Sequence, residues 1–166
     1  MADDLIKMPR FLVDQNVGKL ARWLRLLGYD AVFFTAEDDN QMVKQALSEN
    51  RILLTRDTAI RRRKVATCGQ LTVMTFRTEG AETQIRQLLG QLSLIEHGRP
   101  FTRCLEDNSL IHPINKSAVE KRVPEYTFKT QGEFMECPLC RRVFWRGSHW
   151  LALEKRVAEF NKIDRQ

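Results

Sequence analysis

"RFLVDQNVGKLARWLRLLGYDA", residues 10–31, sets a short apolar run, Phe11-Leu12-Val13, directly against Asp14, and begins a strongly basic segment three residues later. An acid at the end of a buried strand is costly to desolvate unless a hydrogen bond, a cation or a metal ion compensates it. Residues 10–13 read as a strand, and "VGKLARWLRLLG" reads as a helix closed by Gly28. The same strand-then-helix unit recurs downstream. "AVFF" precedes "DDNQMVKQALSEN", "RILLT" precedes "DTAIRRRKV", and "QLTVMTF" precedes "GAETQIRQLLGQLSLI". Four such units imply a parallel sheet with helices on both faces and right-handed crossovers. Functional groups on such sheets gather at the carboxyl ends of the strands, near the switch point.

The pattern changes after Ile95, where "EHGRPF" holds the Gly and Pro cluster of the mid-chain. The boundary is therefore expected there, dividing residues 1–96 from residues 97–166. The second part has short β-like runs ("SLIHPI", "YTFKT", "RVFWR") and then a helix, "SHWLALEKRVAEFNKI", with Ser148 as its expected N-cap.

With 166 residues and 43% apolar content, the chain is long enough to bury a core. No run is long enough to span a bilayer, and the N-terminal "MADDLIKMPR" does not read as a secretory signal. A cytoplasmic protein with no membrane partner is expected. The net charge of +6 suggests an anionic partner. It is unevenly placed: residues 1–96 carry 14 basic against 12 acidic residues, and residues 97–166 carry 13 against 9. The shorter part is the more basic.

Asp14 ends the first strand and Asp57 closely follows the third, so a doubly wound sheet can set them side by side. Glu37, Asp38 and Asp39 lie at the start of the helix after the second strand, on the same edge. Converging carboxylates repel unless a cation sits among them, and magnesium or manganese suits oxygen ligands. A metal held this way activates water and stabilises charge on a phosphate. The competing reading is that such acids cap the following helices.

On the first helix, Val17, Leu20, Leu24 and Leu27 form the apolar stripe, with Lys19, Arg22 and Arg25 roughly opposite and Trp23 at the stripe's edge. Arg56 and the run Arg61-Arg62-Arg63-Lys64 flank Asp57. Such runs commonly make a solvated face, but beside a metal-binding cleft they attract a phosphate backbone. "RRVFWR" interleaves Arg141, Arg142 and Arg146 with Phe144 and Trp145, a composition suited to backbone contact and base stacking as well as to packing of a small domain. Cys137 and Cys140 form "CPLC", a zinc-holding type of knuckle, whereas Cys68 in "VATCGQ" reads as a core or turn residue.

Taken together, "FLVDQNVGKLARWLRLLGYDA", "RILLTRD", "RCLED" and "CPLCRRVFWRGSHW" resemble the PIN-like ribonuclease domain found at the C-terminus of the Mut-seven exonuclease and in free-standing prokaryotic proteins. The resemblance runs from about residue 10 to 155. It implies an α/β fold, a PIN-like doubly wound parallel sheet with a small C-terminal zinc-ribbon-like domain, and a metal-dependent ribonuclease. By position, Asp14, Asp39 and Asp57 match the family's catalytic acids, with Glu79 and Glu82 as weaker matches for a fourth. The family's ribbon has two CxxC pairs. Here the first reads Cys104-Leu105-Glu106-Asp107, with Asp107 in place of the second Cys. The expected zinc set is Cys104, Asp107, Cys137 and Cys140, with His112 or His149 as substitutes and loss of zinc as the alternative. RNA is the expected partner, contacted by Lys19, Arg22, Arg25, Arg56, Arg61, Arg62, Arg63, Arg142 and Arg146, with ribosome or tRNA association open. An RNA- or ribosome-binding module with a weak nuclease centre is the competing function. A phosphoacceptor receiver fits less well, because "VDQN" lacks the paired acids such domains carry after the first strand.

Overall fold

The computed structural model describes residues 8–94 and 98–163. The expected boundary at residues 96 and 97 falls outside them. Strands β1 (Arg10–Val13), β2 (Asp30–Phe33), β3 (Ile52–Thr55) and β4 (Val73–Thr75) form one sheet in the order β2-β1-β3-β4, with every neighbouring pair parallel. Leu12 lies level with Val32 on one side and with Leu53 on the other. The chain builds outward in opposite directions from β1 and β3, so the switch point lies between the ends that carry Asp14 and Asp57.

Helices α1 (Lys19–Leu26), α2 (Asp39–Ser48), α3 (Thr58–Arg61), α4 (Lys64–Thr67) and α5 (Ala81–Leu92) follow the strands. The period-two alternation of β1 divides the core. Phe11 and Val13 pack with Leu20, Leu24, Ile85 and Leu88 on one face, while Leu12 packs with Met42, Val43, Ala46 and Ile60 on the other. Beyond residue 98, β5 (His112–Ile114), β6 (Phe134–Glu136) and β7 (Val143–Phe144) form an antiparallel sheet in chain order. Its buried apolar cluster is small: Cys104, Ile111 and Cys137, with Met135 and Phe144 against them. Helix α7 (Ser148–Ile163) then returns to the first sheet, and its Val157 and Phe160 join the cluster of Phe11 and Leu20. Trp23 meets Phe160 edge-on at 5.2 Å, a packing role at the edge of the stripe. No helix among the described residues is long and apolar enough to cross a membrane.

Two local expectations need correction. "YTFKT" is not β-like: Glu125–Thr130 is a helix, α6. Pro124 presets the entry (φ −56°), and Glu125 pairs with Lys129 one turn on at 2.5 Å. Alternation of Tyr126 and Phe128 had no facing strand to satisfy it. The second correction concerns the faces of α1. Arg25 is buried, and its guanidinium donates to the carbonyls of Ala31 (2.9 Å), Leu105 (2.9 Å) and Glu106 (2.8 Å). It ties α1 to the C-terminal part and is not available to RNA. Gly28 closes α1 at φ +89°, where a Cβ would lie 2.0 Å from the Arg99 carbonyl oxygen. Only glycine permits that crossing.

The amino end of the sheet carries an ion network. The Asp30 carboxylate accepts from Arg51 (2.7 Å), Arg10 (3.1 Å) and Asn108 (2.7 Å). Burial alone raises the Asp30 carboxyl, but the bonds from Arg51 and Asn108 and the Arg51 charge outweigh it and hold it at about 2. A carboxyl lowered on folding contributes stability that is present above its ordinary value and is lost as pH falls through the folded one. This group is expected to contribute about 2 kcal/mol at neutral pH and to lose it between roughly pH 4 and pH 2. Chemical denaturation of wild type and Asp30→Asn across that window checks it: the two curves should converge on acidification. Parallel curves would show that Asp30 is not the linked group.

Candidate active site and metal centre

The first site sits at the carboxyl ends of β1 and β3. One Asp14 oxygen, Oδ2, accepts from the Thr55 hydroxyl (2.6 Å) and from Asn16 Nδ2 (2.7 Å). The Thr55 hydroxyl in turn accepts from the Asp57 amide (3.0 Å), and Asn16 Oδ1 accepts from the Arg56 amide (2.9 Å). Thr55 and Asn16 thus join the two strand ends into one unit. The hydrogen bonds answer part of the desolvation problem posed by Asp14. Asp57 caps α3 through Oδ1, which accepts from the Ala59 amide at 2.7 Å. Among the described residues, neither Asp14 nor Asp57 pairs with an arginine or lysine.

Two depressions adjoin this unit. One, of about 250 Å³, is lined by Asp14, Asn16, Glu37, Asp39 and Met42. The other, of about 470 Å³, is lined by Asn16, Arg56, Asp57, Phe76 and Arg77. Asp38 is the N-cap of α2, accepting from the Asn40 amide at 2.7 Å, so it is occupied locally. Asp39 is exposed in the first turn, faces the same depression as Asp14, and lies 3.7 Å from Arg63. Asp14, Asp39 and Asp57 share one edge without forming a tight cluster. Glu79 pairs with Arg56 (3.1 Å), and Glu82 is held by Arg86 (2.8 Å) and Arg156 (3.3 Å).

Sequence reasoning passed over Asn16 and Thr55. Both stand in the quoted motifs, "VDQN" and "LLTRD", but their role needs the β1–β3 register, which pairs Val13 with Leu54. Arg77 was also missed, since it follows β4 with no motif around it.

Of the basic residues, Lys19, Arg61 and Arg62 are exposed. Arg63 bonds Asn40 (2.7 Å), Arg22 and Arg142 both meet Glu106 (2.6 and 3.4 Å), and Arg146 meets Glu154 (3.1 Å). Cys68 is exposed at the C-terminus of α4, a turn position.

The second site lies between residues 104–107 and the turn that joins β6 to β7. The ligating atoms of Cys104, Asp107, Cys137 and Cys140 all lie within 4.8 Å of one another, the one such group of three or more among the described residues. Cys104 Sγ and Cys140 Sγ are 3.7 Å apart, close to the edge of a tetrahedron built on Zn–S bonds of about 2.3 Å. The Cys140 amide approaches Cys137 Sγ at 3.4 Å, the knuckle geometry expected of "CPLC". His112 and His149 are not in the group. Desolvation and the neighbouring Asp107, Cys137 and Cys104 push the Cys140 thiol up to about 12. Burial also raises Cys104. A cation entering here must displace thiol protons. Three sulfurs and one carboxylate can hold a metal such as zinc.

The family model for the Mut7-C RNAse domain matches residues 9–157. No curated protein and no solved structure matches the chain.

Proposed function

The chain belongs to the Mut7-C RNAse domain family, and from that premise we propose that it is a metal-dependent ribonuclease whose centre is built on Asp14, Asp57 and Asp39. The observation that carries this reading is the Asp14–Thr55–Asp57 linkage at the switch point, where two carboxylates are held in register with no cation among the described residues pairing them. Magnesium or manganese fits the donors present: carboxylate oxygens around an open depression, with Oδ2 of Asp14 oriented by two hydrogen bonds. When bound, such an ion supplies charge stabilisation and a more acidic water.

The chain's own residues do the positioning. Thr55 and Asn16 hold Oδ2 of the Asp14 carboxylate, and Asp14 lines the smaller depression. Asp57, anchored through the Ala59 amide, lines the larger depression together with Arg56 and Arg77. The Arg77 guanidinium suits a phosphate flanking the scissile bond, and Arg56 can join it by exchanging its exposed partner Glu79. Asp39 supplies negative charge on the far wall, moderated by Arg63.

The test is incubation of a mixed structured RNA pool with manganese or magnesium, comparing wild type with Asp57→Asn. Cutting by wild type alone is the expected result; equal cutting by both would overturn the assignment. Binding without cutting by wild type would favour the RNA- or ribosome-binding module, in which the basic second part is the working surface.

A further inference from the structure

We infer that the cleft between α1, β7 and the start of α7 is a pocket for one unstacked base of a single-stranded RNA, with the attached phosphate met by Arg22 and Arg142. The inference rests on RNA being the ligand and adds a site away from the carboxylates. The cleft encloses about 350 Å³, within the range of small-molecule sites, and four aromatics line it: Phe101, Phe144, Trp145 and Trp150.

Two of those rings already form a stacking platform. Phe101 and Trp150 lie 4.3 Å apart and within 19° of parallel. The Trp150 indole N–H donates to Glu154 at 2.8 Å, which fixes the plane of the ring. Trp145 is seated over Gly147, where a Cβ would come within 2.9 Å of its indole nitrogen. Each aromatic is only partly buried, so a face remains for a flat ligand. A rigid pair of aromatic faces on a basic rim suits a nucleobase, because every base has a π-face and carries a phosphate.

The mouth supplies the charge. Arg22 (2.6 Å) and Arg142 (3.4 Å) share the single carboxylate of Glu106, leaving one positive charge unmatched between them. All three side chains are exposed, so a phosphate entering there meets two guanidinium groups already drawn together.

The experiment measures binding without added magnesium or manganese, so that no cutting intervenes. Anisotropy of a labelled single-stranded RNA, of its duplex, and of the strand with one abasic ribose placed at each position in turn is compared. Trp150→Ala is expected to weaken the strand roughly tenfold and leave the duplex unchanged. Arg142→Gln is expected to weaken the strand and reduce its salt slope by about 0.7. Glu106→Gln is expected to tighten the strand about threefold, a gain that no folding defect produces. One abasic position should cost as much as Trp150→Ala. Equal weakening of strand and duplex by Trp150→Ala, no tightening by Glu106→Gln, or a flat abasic series would each overturn the pocket. A wild type that binds in this way and cuts no RNA would sink the ribonuclease reading and leave the pocket standing; one that cuts RNA with a flat abasic series does the reverse.

Discussion

Asp14→Asn is expected to lower the rate of RNA cleavage about 10³-fold, roughly 4 kcal/mol of transition-state stabilisation, with little change in thermal stability. The substitution keeps the shape of the side chain. Its oxygen can still accept from the Thr55 hydroxyl, so the β1–β3 junction persists. What it removes is the negative charge that would hold a divalent ion at the mouth of the depression. Thr55→Val separates orientation from charge. Thr55 is fully buried, and its hydroxyl is bound to both the Asp14 carboxylate and the Asp57 amide. Valine fills the same volume and leaves Asp14 charged but freer to rotate. A loss of about tenfold is expected, with a raised metal requirement. Single-turnover cleavage across a manganese titration reads both effects. Loss in Asp14→Asn that excess manganese fully restores, or no loss at all, would exclude a direct role.

The second large effect concerns the sulfur site. Cys137→Ser, or a chelator, is expected to release one zinc per chain and to melt the sheet β5-β6-β7 while the four-stranded sheet stays folded. The buried apolar residues there are few for holding a fold alone: Ile111, Val119, Phe134 and two of the cysteines, backed by Met135 and Phe144. In isolated zinc-organised units the ion contributes on the order of 10 kcal/mol. Zinc analysis together with proteolysis of residues 98–147 checks the expectation. A wild type purified without zinc whose second sheet resists protease would show that Asp107 does not substitute for a thiol here. Because the Cys140 thiol is pushed up to about 12 without a cation, zinc affinity should fall as pH is lowered.

Much of the fold was legible because it depends on local pattern. The alternating units and the burial of β1 on both faces follow from short apolar runs bounded by turn residues. The strand ends carrying Asp14 and Asp57 were legible for the same reason, whereas Asp107 entered only through the resemblance, which set it where the family has a second Cys; it does lie in one cluster with Cys104, Cys137 and Cys140. Arg25 was misread because helical periodicity sorts faces against an assumed single core. Its real partners, the carbonyls of Leu105 and Glu106, lie 80 and 81 residues away in sequence. Thr55 and Asn16 were illegible for a related reason: a hydroxyl at a strand end gains meaning only when the neighbouring strand is in register. The aromatics of "FWRGSHW" were visible as a motif, yet only the return of α7 shows that Trp150 stacks on Phe101 while Trp145 faces the same cleft.

That return has a consequence for the nascent chain. Val157 and Phe160 complete the face of the sheet that begins with Phe11, so nearly 150 residues of sequence separate the first and last pieces of one core. During synthesis α1 and α5 can cover most of that face, while the part that Val157 and Phe160 occupy waits for the last helix. The residues that build the acidic edge all precede Arg63, so they leave the ribosome well before α7 closes the face behind them.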